Sequence, residues 1–298
     1  DIRWEKTTTV NVGVDFALFR HRLSGTIEYY NKYSVDLLAA INGSPTQGFG
    51  YTTLMTNNGK MVNRGVEITL SGEIIRQKDF SWNASLLYAF NRNKVKHISV
   101  QPSLWDSRIS MPTSYPMVGK PLYGIYAYKW AGLNENGDPQ VYDAENNVTS
   151  GPARDYHALV YCGTTVPIHN ASLTNVLRYK GFEFSAMLIL DAGHKLRSSN
   201  IPSINMSNGR ITSTAKGIVD RWTQPGDVTD VPRLLFSNDT ENFNTHRTEL
   251  YRYSDLFVYD ASNIRLSNIS LAYRVPAHWC KKISLSGARL QFNVENTI

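Results

Sequence analysis

The sequence predicts an all-β chain and, more narrowly, a transmembrane antiparallel β-barrel. Apolar and polar residues alternate with a period of two through eight segments, which is typical of strands with two different faces. Short turns alternate with long connections, as in a barrel whose turns lie on one side of a membrane and whose loops lie on the other. The most apolar stretch, near Phe184–Leu190, is far shorter than the ~20 residues of a transmembrane helix. The pattern therefore excludes a helical membrane protein but not a barrel.

Composition supports a folded protein. The chain has 298 residues and a net charge of +6, with 42% hydrophobic, 11% aromatic and 19% charged residues. So many aromatic residues and so little net charge exclude disorder. Lysine and arginine are scattered, with no basic run longer than two, so the charge indicates a solvated surface and no nucleic-acid partner.

The eight strands pair as four hairpins, each with a short polar turn. In order, the hairpins are Val10–Leu18 with Leu23–Tyr30 around a turn at Phe19–Arg22; Val66–Ser71 with Trp82–Phe90 around Arg76–Asp79; Leu173–Leu177 with Phe182–Leu190 around Tyr179–Gly181; and Ile269–Val275 with Leu290–Val294 around Pro276–Lys282. In the last strand the apolar phase slips before Leu290, which predicts a bulge near Gly287.

Three long connections, at about 34–63, 94–170 and 191–262, join the hairpins. The segment Leu122–Trp130 alternates like a strand, but as a spanning strand it would place the Tyr179–Gly181 turn on the wrong side. We therefore assign it to loop structure, which leaves eight spanning strands. A soluble half-buried sheet would show the same alternation, and the difference in length between turns and loops favours the membrane barrel.

The alternation predicts which side chains meet lipid and which line a wet lumen. Charged side chains are costly in hydrocarbon and normal in a water-filled barrel. The residues predicted to face lipid are Val12, Val14, Ile68, Leu70, Leu86, Phe184, Leu188, Leu271 and Phe292, and those predicted to face inward are Glu28, Glu67, Glu183 and Arg289.

Five segments, in order, resemble motifs of one family, the SusC/RagA class of TonB-dependent outer-membrane transporters of Bacteroidota. Together they run from Trp4 to Asn296 and so cover essentially the whole chain. The segments are Trp4–Phe16, Leu23–Lys32, Asn57–Glu67, Arg221–Arg233 (similar to the loop signature RWT.PGD.TDVPR) and Ile264–Tyr273 closed by Pro276.

The resemblance implies the architecture and the location. Residues 1–298 would form part of a 22-stranded barrel domain in the outer membrane of a Gram-negative bacterium, in contact with its lipid. The plug domain, the segment that contacts TonB and the last strands are absent from the sequence, so we expect this chain to be a fragment.

The resemblance also implies a function. The protein would import an oligosaccharide or an oligopeptide together with a SusD-like surface lipoprotein, driven by the TonB complex through the absent plug region. Other outer-membrane barrels, a porin or a siderophore receptor, remain alternatives, as does a soluble all-β binding module.

No catalytic, cofactor-binding or metal-binding residues are predicted. The seven histidines are dispersed without metal-ligand spacing, and the chain has no nucleophile elbow and no phosphate-binding loop. The segment Asn134–Asp138 faintly resembles a calcium loop but lacks the glutamate at its twelfth position, so a plain turn is favoured. Cys162 and Cys280 should lie at opposite ends of the barrel, too far apart for a disulfide.

Aromatic residues in the long connections are the candidates for contact with substrate or lid. Phe49, Tyr51, Trp105 and Tyr115 lie among small polar residues, a setting that suits sugars and peptide backbones. They could equally pack the loops together. The three long connections, including Gly43–Tyr51, are predicted to form the rim that faces the lid.

Overall fold

The structure is a computed structural model, and it describes residues 2–42, 53–100, 107–151, 155–206, 215–236, 245–282 and 284–297. Strands dominate it. In chain order the strands are β1 (Lys6–Leu18), β2 (Leu23–Asn42), β3 (Thr53–Arg76), β4 (Phe80–His97), β5 (Gly124–Tyr128), β6 (Trp130–Leu133), β7 (Pro139–Tyr142), β8 (Val148–Thr149), β9 (Leu159–Thr164), β10 (His169–Tyr179), β11 (Phe182–Ala192), β12 (Lys195–Arg197), β13 (Asn205–Met206), β14 (Leu235–Phe236), β15 (Val258–Asp260), β16 (Asn263–Arg274) and β17 (Arg289–Thr297).

Helices are few and short. They are α1 (Ser107–Ser110), α2 (Thr245–Arg252) and α3 (Ala277–Lys282), with 3-10 turns at Tyr156–Ala158, Lys216–Asp220 and Asp255–Phe257. Among the described residues, no helix is long and apolar enough to cross a bilayer.

One antiparallel sheet of eight strands organises the chain, in the order β1-β2-β3-β4-β10-β11-β16-β17. The prediction of eight strands in four hairpins is confirmed. The eight strands lie in the sheet in the same order as in the chain, because each hairpin pairs locally and each long connection returns to the adjacent position. The segment Leu122–Trp130 lies outside this sheet, in two smaller ones, as predicted.

The first long connection is much shorter than predicted. β2 continues to Asn42 and β3 begins at Thr53, so residues 34–63 are mostly strand rather than loop. At 20 and 24 residues these strands exceed the ~9–11 residues that span a membrane. The prediction was wrong because it followed apolar alternation, whereas backbone pairing continues without it, through pairs such as Leu38–Asn57 and Ala39–Thr56.

The bulge predicted near Gly287 was also wrong. β17 begins only at Arg289, and the connection before it contains α3, so the apolar phase slips where the strand has not yet begun. A register shift occurs instead where β11 pairs with β16, between Met187 and Leu188 of β11.

The two faces of the sheet differ as predicted. Cross-strand pairs such as Ile27–Ile68 and Leu271–Phe292 place apolar residues opposite apolar residues from strand to strand. Many of these side chains are exposed, for instance Val12 at 62% and Phe292 at 68%. The register confirms that the nine residues predicted to face lipid share this face, and that Glu28, Glu67, Glu183 and Arg289 lie on the other. A continuous exposed apolar face of this size requires an apolar environment.

Aromatic rows border the apolar face at both ends. At the end with the short turns, the rings of Phe182 and Tyr273 lie 4.5 Å apart between centroids with their planes tilted by 38°, and Tyr179 pairs with Phe182 across the strands. At the other end Phe90 lies 5.3 Å from His169. About ten residues separate the rows, which at ~3.3 Å per residue and a tilt of roughly 40° gives a band about 25 Å tall. That height matches the hydrocarbon thickness that a membrane barrel covers.

Gly65, in the segment that resembles the family motif, is required by its neighbours. A Cβ at this position would lie 2.3 Å from Cζ of Tyr30 and 2.6 Å from the carbonyl oxygen of Phe90. The Tyr30 ring therefore crosses the strand at the one residue without a side chain, an arrangement that fixes the register of β2 against β3.

Candidate functional site

The polar face of the sheet carries charged side chains. Asp15, Glu28 and Glu67 lie on β1–β3, and Glu28 pairs directly with Glu67. On β10, β11, β16 and β17 the polar face carries both arginines and carboxylates, and Glu183 accepts hydrogen bonds from Arg178 at 2.7 Å and from Arg289 at 3.0 Å. Such a face is stable only where water or polar protein groups solvate it, as in a barrel lumen.

At the end opposite the short turns, the two longest connections form one packed unit. We call the described parts of residues 98–168 and 193–262 the loop domain. Its main core is formed by Tyr126, Tyr128, Val141, Ala158, Leu159 and Leu250, which are all buried. A second cluster of Ile204, Tyr251 and Phe257 joins the first through Trp130. Both connections contribute to the core, so they fold as a unit rather than as separate loops.

A carboxylate links the two connections through two guanidinium groups. Asp138, in the β6–β7 turn, accepts hydrogen bonds from Arg233 at 2.8 and 3.0 Å and from Arg247 at 3.1 Å. The Arg247 side chain is only 3% exposed and also donates to the carbonyl oxygens of Ile204 and Arg233. Burial lowers the pKa of Arg247, whereas the negative charge of the Asp138 carboxylate raises it. The segment Asn134–Asp138 is thus a structural turn whose aspartate joins the loops.

Arg197 makes a second link. Its guanidinium donates to the carbonyl oxygens of Tyr126 at 2.6 Å, Ser254 at 3.2 Å and Arg252 at 3.3 Å. Burial lowers the pKa of Arg197. One of these carbonyl oxygens belongs to β5, in the first long connection, and the other two lie at the end of α2 and just after it, in the second. This one side chain therefore binds backbone groups of both connections.

The segment Arg221–Arg233 is a rigid turn. The Asp227 carboxylate accepts from the backbone N–H groups of Thr223 and Gln224 and from the Thr223 hydroxyl, and these bonds lower the pKa of Asp227. The Trp222 ring covers Gly137, where a Cβ would meet the ring at 2.4 Å. The motif therefore holds the loop domain together and presents Val228, which is fully exposed, at its surface.

The predicted site residues are only partly placed. Phe49, Tyr51 and Trp105, and the segment Gly43–Tyr51, lie outside the described residues. Tyr115 is 7% exposed inside the loop domain, and its carbonyl oxygen accepts a hydrogen bond from Arg108 at 3.3 Å. Its role in contact with substrate or lid stays a prediction.

Sequence reasoning missed the residues that build this domain: Asp138, Arg197, Arg233 and Arg247. They follow no period, and Arg247 and its partner Asp138 are 109 residues apart in the sequence. The only available signal was the RWT.PGD.TDVPR resemblance, which includes Arg233.

Cys162 lies in β9 of the loop domain and Cys280 in α3 at the opposite end, as expected. Within the described ranges, no group of three histidine, cysteine, aspartate or glutamate side chains could hold a metal ion.

An antiparallel sheet with one exposed apolar face and one charged face, and with a folded loop domain at one end, is the fold expected of part of a transmembrane β-barrel. The family model described as "TonB dependent receptor-like, beta-barrel" matches residues 1–296. The chain belongs to this family.

Its relatives agree with the resemblance to the SusC/RagA class, which is confirmed. The chain is 25% identical to TonB-dependent receptor P3 of Formosa agariphila, over 100% of this chain and 30% of that protein. It is 25% identical to TonB-dependent receptor SusC of Bacteroides thetaiotaomicron, over 99% of this chain and 29% of that protein. The chain thus spans about 30% of the length of these relatives.

Solved structures show the same fold. The RagAB peptide importer in its "open-open" state superimposes with a TM-score of 0.78 at 21% identity, covering 100% of this chain and 31% of that one. The structure of the RagAB peptide transporter gives a TM-score of 0.75 at 22% identity, covering 99% of this chain and 32% of the other.

Proposed function

We propose that the protein imports a large nutrient, an oligosaccharide or an oligopeptide, across the outer membrane of a Gram-negative bacterium similar to the Bacteroidota. The observation that carries this proposal is the loop domain. Two connections that leave the barrel at different strands are joined by a common core and by buried arginines. A structured surface of this kind at one mouth of a barrel suits capture of a specific ligand.

A SusD-like surface lipoprotein and the TonB complex are the proposed partners. The names of the relatives support dependence on TonB and import, because SusC is a TonB-dependent receptor and RagAB is described as a peptide importer. The lipoprotein would cover the loop domain as a lid, and TonB would act through parts of the protein outside this chain.

Two other functions fit less well. A passive porin needs an open mouth, whereas the loop domain is a packed unit with its own core. A soluble binding module would not expose a continuous apolar face on every strand of its main sheet. We infer that the protein is not an enzyme, because its family consists of receptors and transporters.

Uptake in cells tests the proposal. Cells that express the intact protein should accumulate labelled oligosaccharides or oligopeptides, and uptake should stop when TonB is deleted, because import against a gradient needs energy. Accumulation that survives loss of TonB would show a porin instead.

The position of the lid gives a separate prediction. A photo-crosslinking residue at Val228, on the exposed turn of the loop domain, should capture the lipoprotein in intact cells. The same residue at Lys180, in the short β10–β11 turn, should not, because it lies at the other end of the apolar band.

Lipoprotein captured at Lys180 with none at Val228 would contradict this arrangement and show that the barrel is inverted relative to the membrane. Both positions lie in turns, so the comparison controls for accessibility of the probe.

A further inference from the structure

Basic residues lie on the outward face just beyond the apolar band, on the side of the loop domain. Arg64 of β3 and Arg92 of β4 are directly opposite each other in the register. Lys94 follows one step further along β4, opposite Val62. All three side chains are exposed.

Their orientation follows from an unbroken register. Pairing between β3 and β4 runs without a shift from Met61–Val95 to Glu73–Asn83. Arg64 therefore shares a face with Val66 and Ile68, and Arg92 shares it with Phe90. Because Phe90 belongs to the aromatic row that ends the apolar band, these cations lie at the level of the lipid headgroups and point out of the barrel.

The positive charge is not neutralised within the described part of the chain. None of the ion pairs there involves Arg64, Arg92 or Lys94, and Arg64 makes a hydrogen bond only to the Asn31 side chain, at 3.0 Å. Like charges directly opposite each other on a sheet repel. A shared anion between the two guanidinium groups would turn this repulsion into attraction.

We propose that this basic patch binds the phosphate of an outer-leaflet lipid, a glycolipid with a phosphate monoester headgroup. Guanidinium groups bind phosphate oxygens through paired hydrogen bonds, and two of them opposite each other can hold one phosphate from both sides. The patch faces the bilayer at headgroup depth, where the phosphate of a lipid is presented. This inference rests on the proposed placement in the outer membrane.

Lipid binding in nanodiscs tests the patch. The intact protein is placed in phosphatidylcholine nanodiscs that contain a small fraction of phosphorylated lipid A, and bound lipid A is counted by native mass spectrometry. Each cation near a charged membrane surface strengthens the binding of an anionic lipid. The variant Arg92→Gln should therefore weaken the binding of lipid A about 5-fold, and the double variant Arg64→Gln with Arg92→Gln should weaken it about 30-fold. The control Arg274→Gln removes an arginine from the polar face and should leave binding unchanged.

Four other results would contradict the proposal or the membrane placement on which it rests. Equal binding by the wild type and the double variant would overturn the proposal, as would equal binding of lipid A from which the phosphate has been removed. Displacement of the lipid by millimolar inorganic phosphate would show a site for free phosphate instead. Failure of the wild type to enter nanodiscs would contradict the membrane placement itself, and is thereby distinguished from failure of the patch.

Discussion

Replacing Asp138 with alanine should destabilise the loop domain by about 3 kcal/mol, because removal of one partner leaves a buried charge without compensation. Asp138 is the only carboxylate in the described chain that pairs with Arg247 or Arg233. Loss of it also removes the side-chain ion pairs between the β6–β7 turn and the second long connection, where the hydrogen bond from the Arg233 N–H to the Gly137 carbonyl oxygen remains. We expect limited proteolysis to cleave the loop domain of this variant at lower denaturant concentrations, while the eight-stranded sheet stays protected.

Glu135 is the matched control. It lies three residues earlier in the same turn, is exposed, and makes no ion pair among the described residues. Glu135→Ala should therefore leave the free energy of unfolding of the loop domain within about 0.5 kcal/mol of the wild-type value. If the two variants lose equal stability, Asp138 does not join the two connections in the way that the structure indicates.

Replacing Leu188 with arginine should cost about 2–4 kcal/mol in a bilayer, the usual penalty for a charge at the midplane on the lipid face of a barrel. Leu188 lies near the middle of β11, pairs with Leu173, and is 38% exposed on the apolar face. The measurement is reversible folding of the intact protein into lipid vesicles at increasing denaturant concentrations.

Met187→Arg is the control, because Met187 precedes Leu188 and points to the polar face, opposite Thr174. The arginine introduced at this position can reach water in the lumen, so the loss of folding free energy should be much smaller than for Leu188→Arg. A larger loss for Met187→Arg than for Leu188→Arg would reverse the two faces of the sheet.

The candidate site was predicted only in outline. The sequence indicated that the long connections carry function, and it located the RWT.PGD.TDVPR segment. It did not reveal that Asp227 caps its own turn or that Trp222 covers Gly137, since both contacts depend on where the chain bends. The aromatic residues that composition singled out stay predictions for contact with substrate or lid, whereas Arg197 and Arg247, which no pattern marks, hold the loop domain together.

The sequence by itself determined the strands that span the membrane, their order and their two faces. Period-two alternation is a local property: each strand must place Val12 or Leu271 toward one side and Glu28 or Glu183 toward the other, whatever the rest of the chain does. Short polar turns fix which strands are neighbours.

Only the tertiary structure decided how far β2 and β3 extend and that the two longest connections form a single domain. Backbone pairing beyond the apolar band needs no alternation, so it leaves no periodic signal. The contacts of Asp138 with Arg233 and Arg247 join residues about a hundred positions apart, and no local pattern encodes such a pairing. They form because a buried guanidinium must find a carboxylate or a carbonyl oxygen, and the folded chain alone brings those partners within reach.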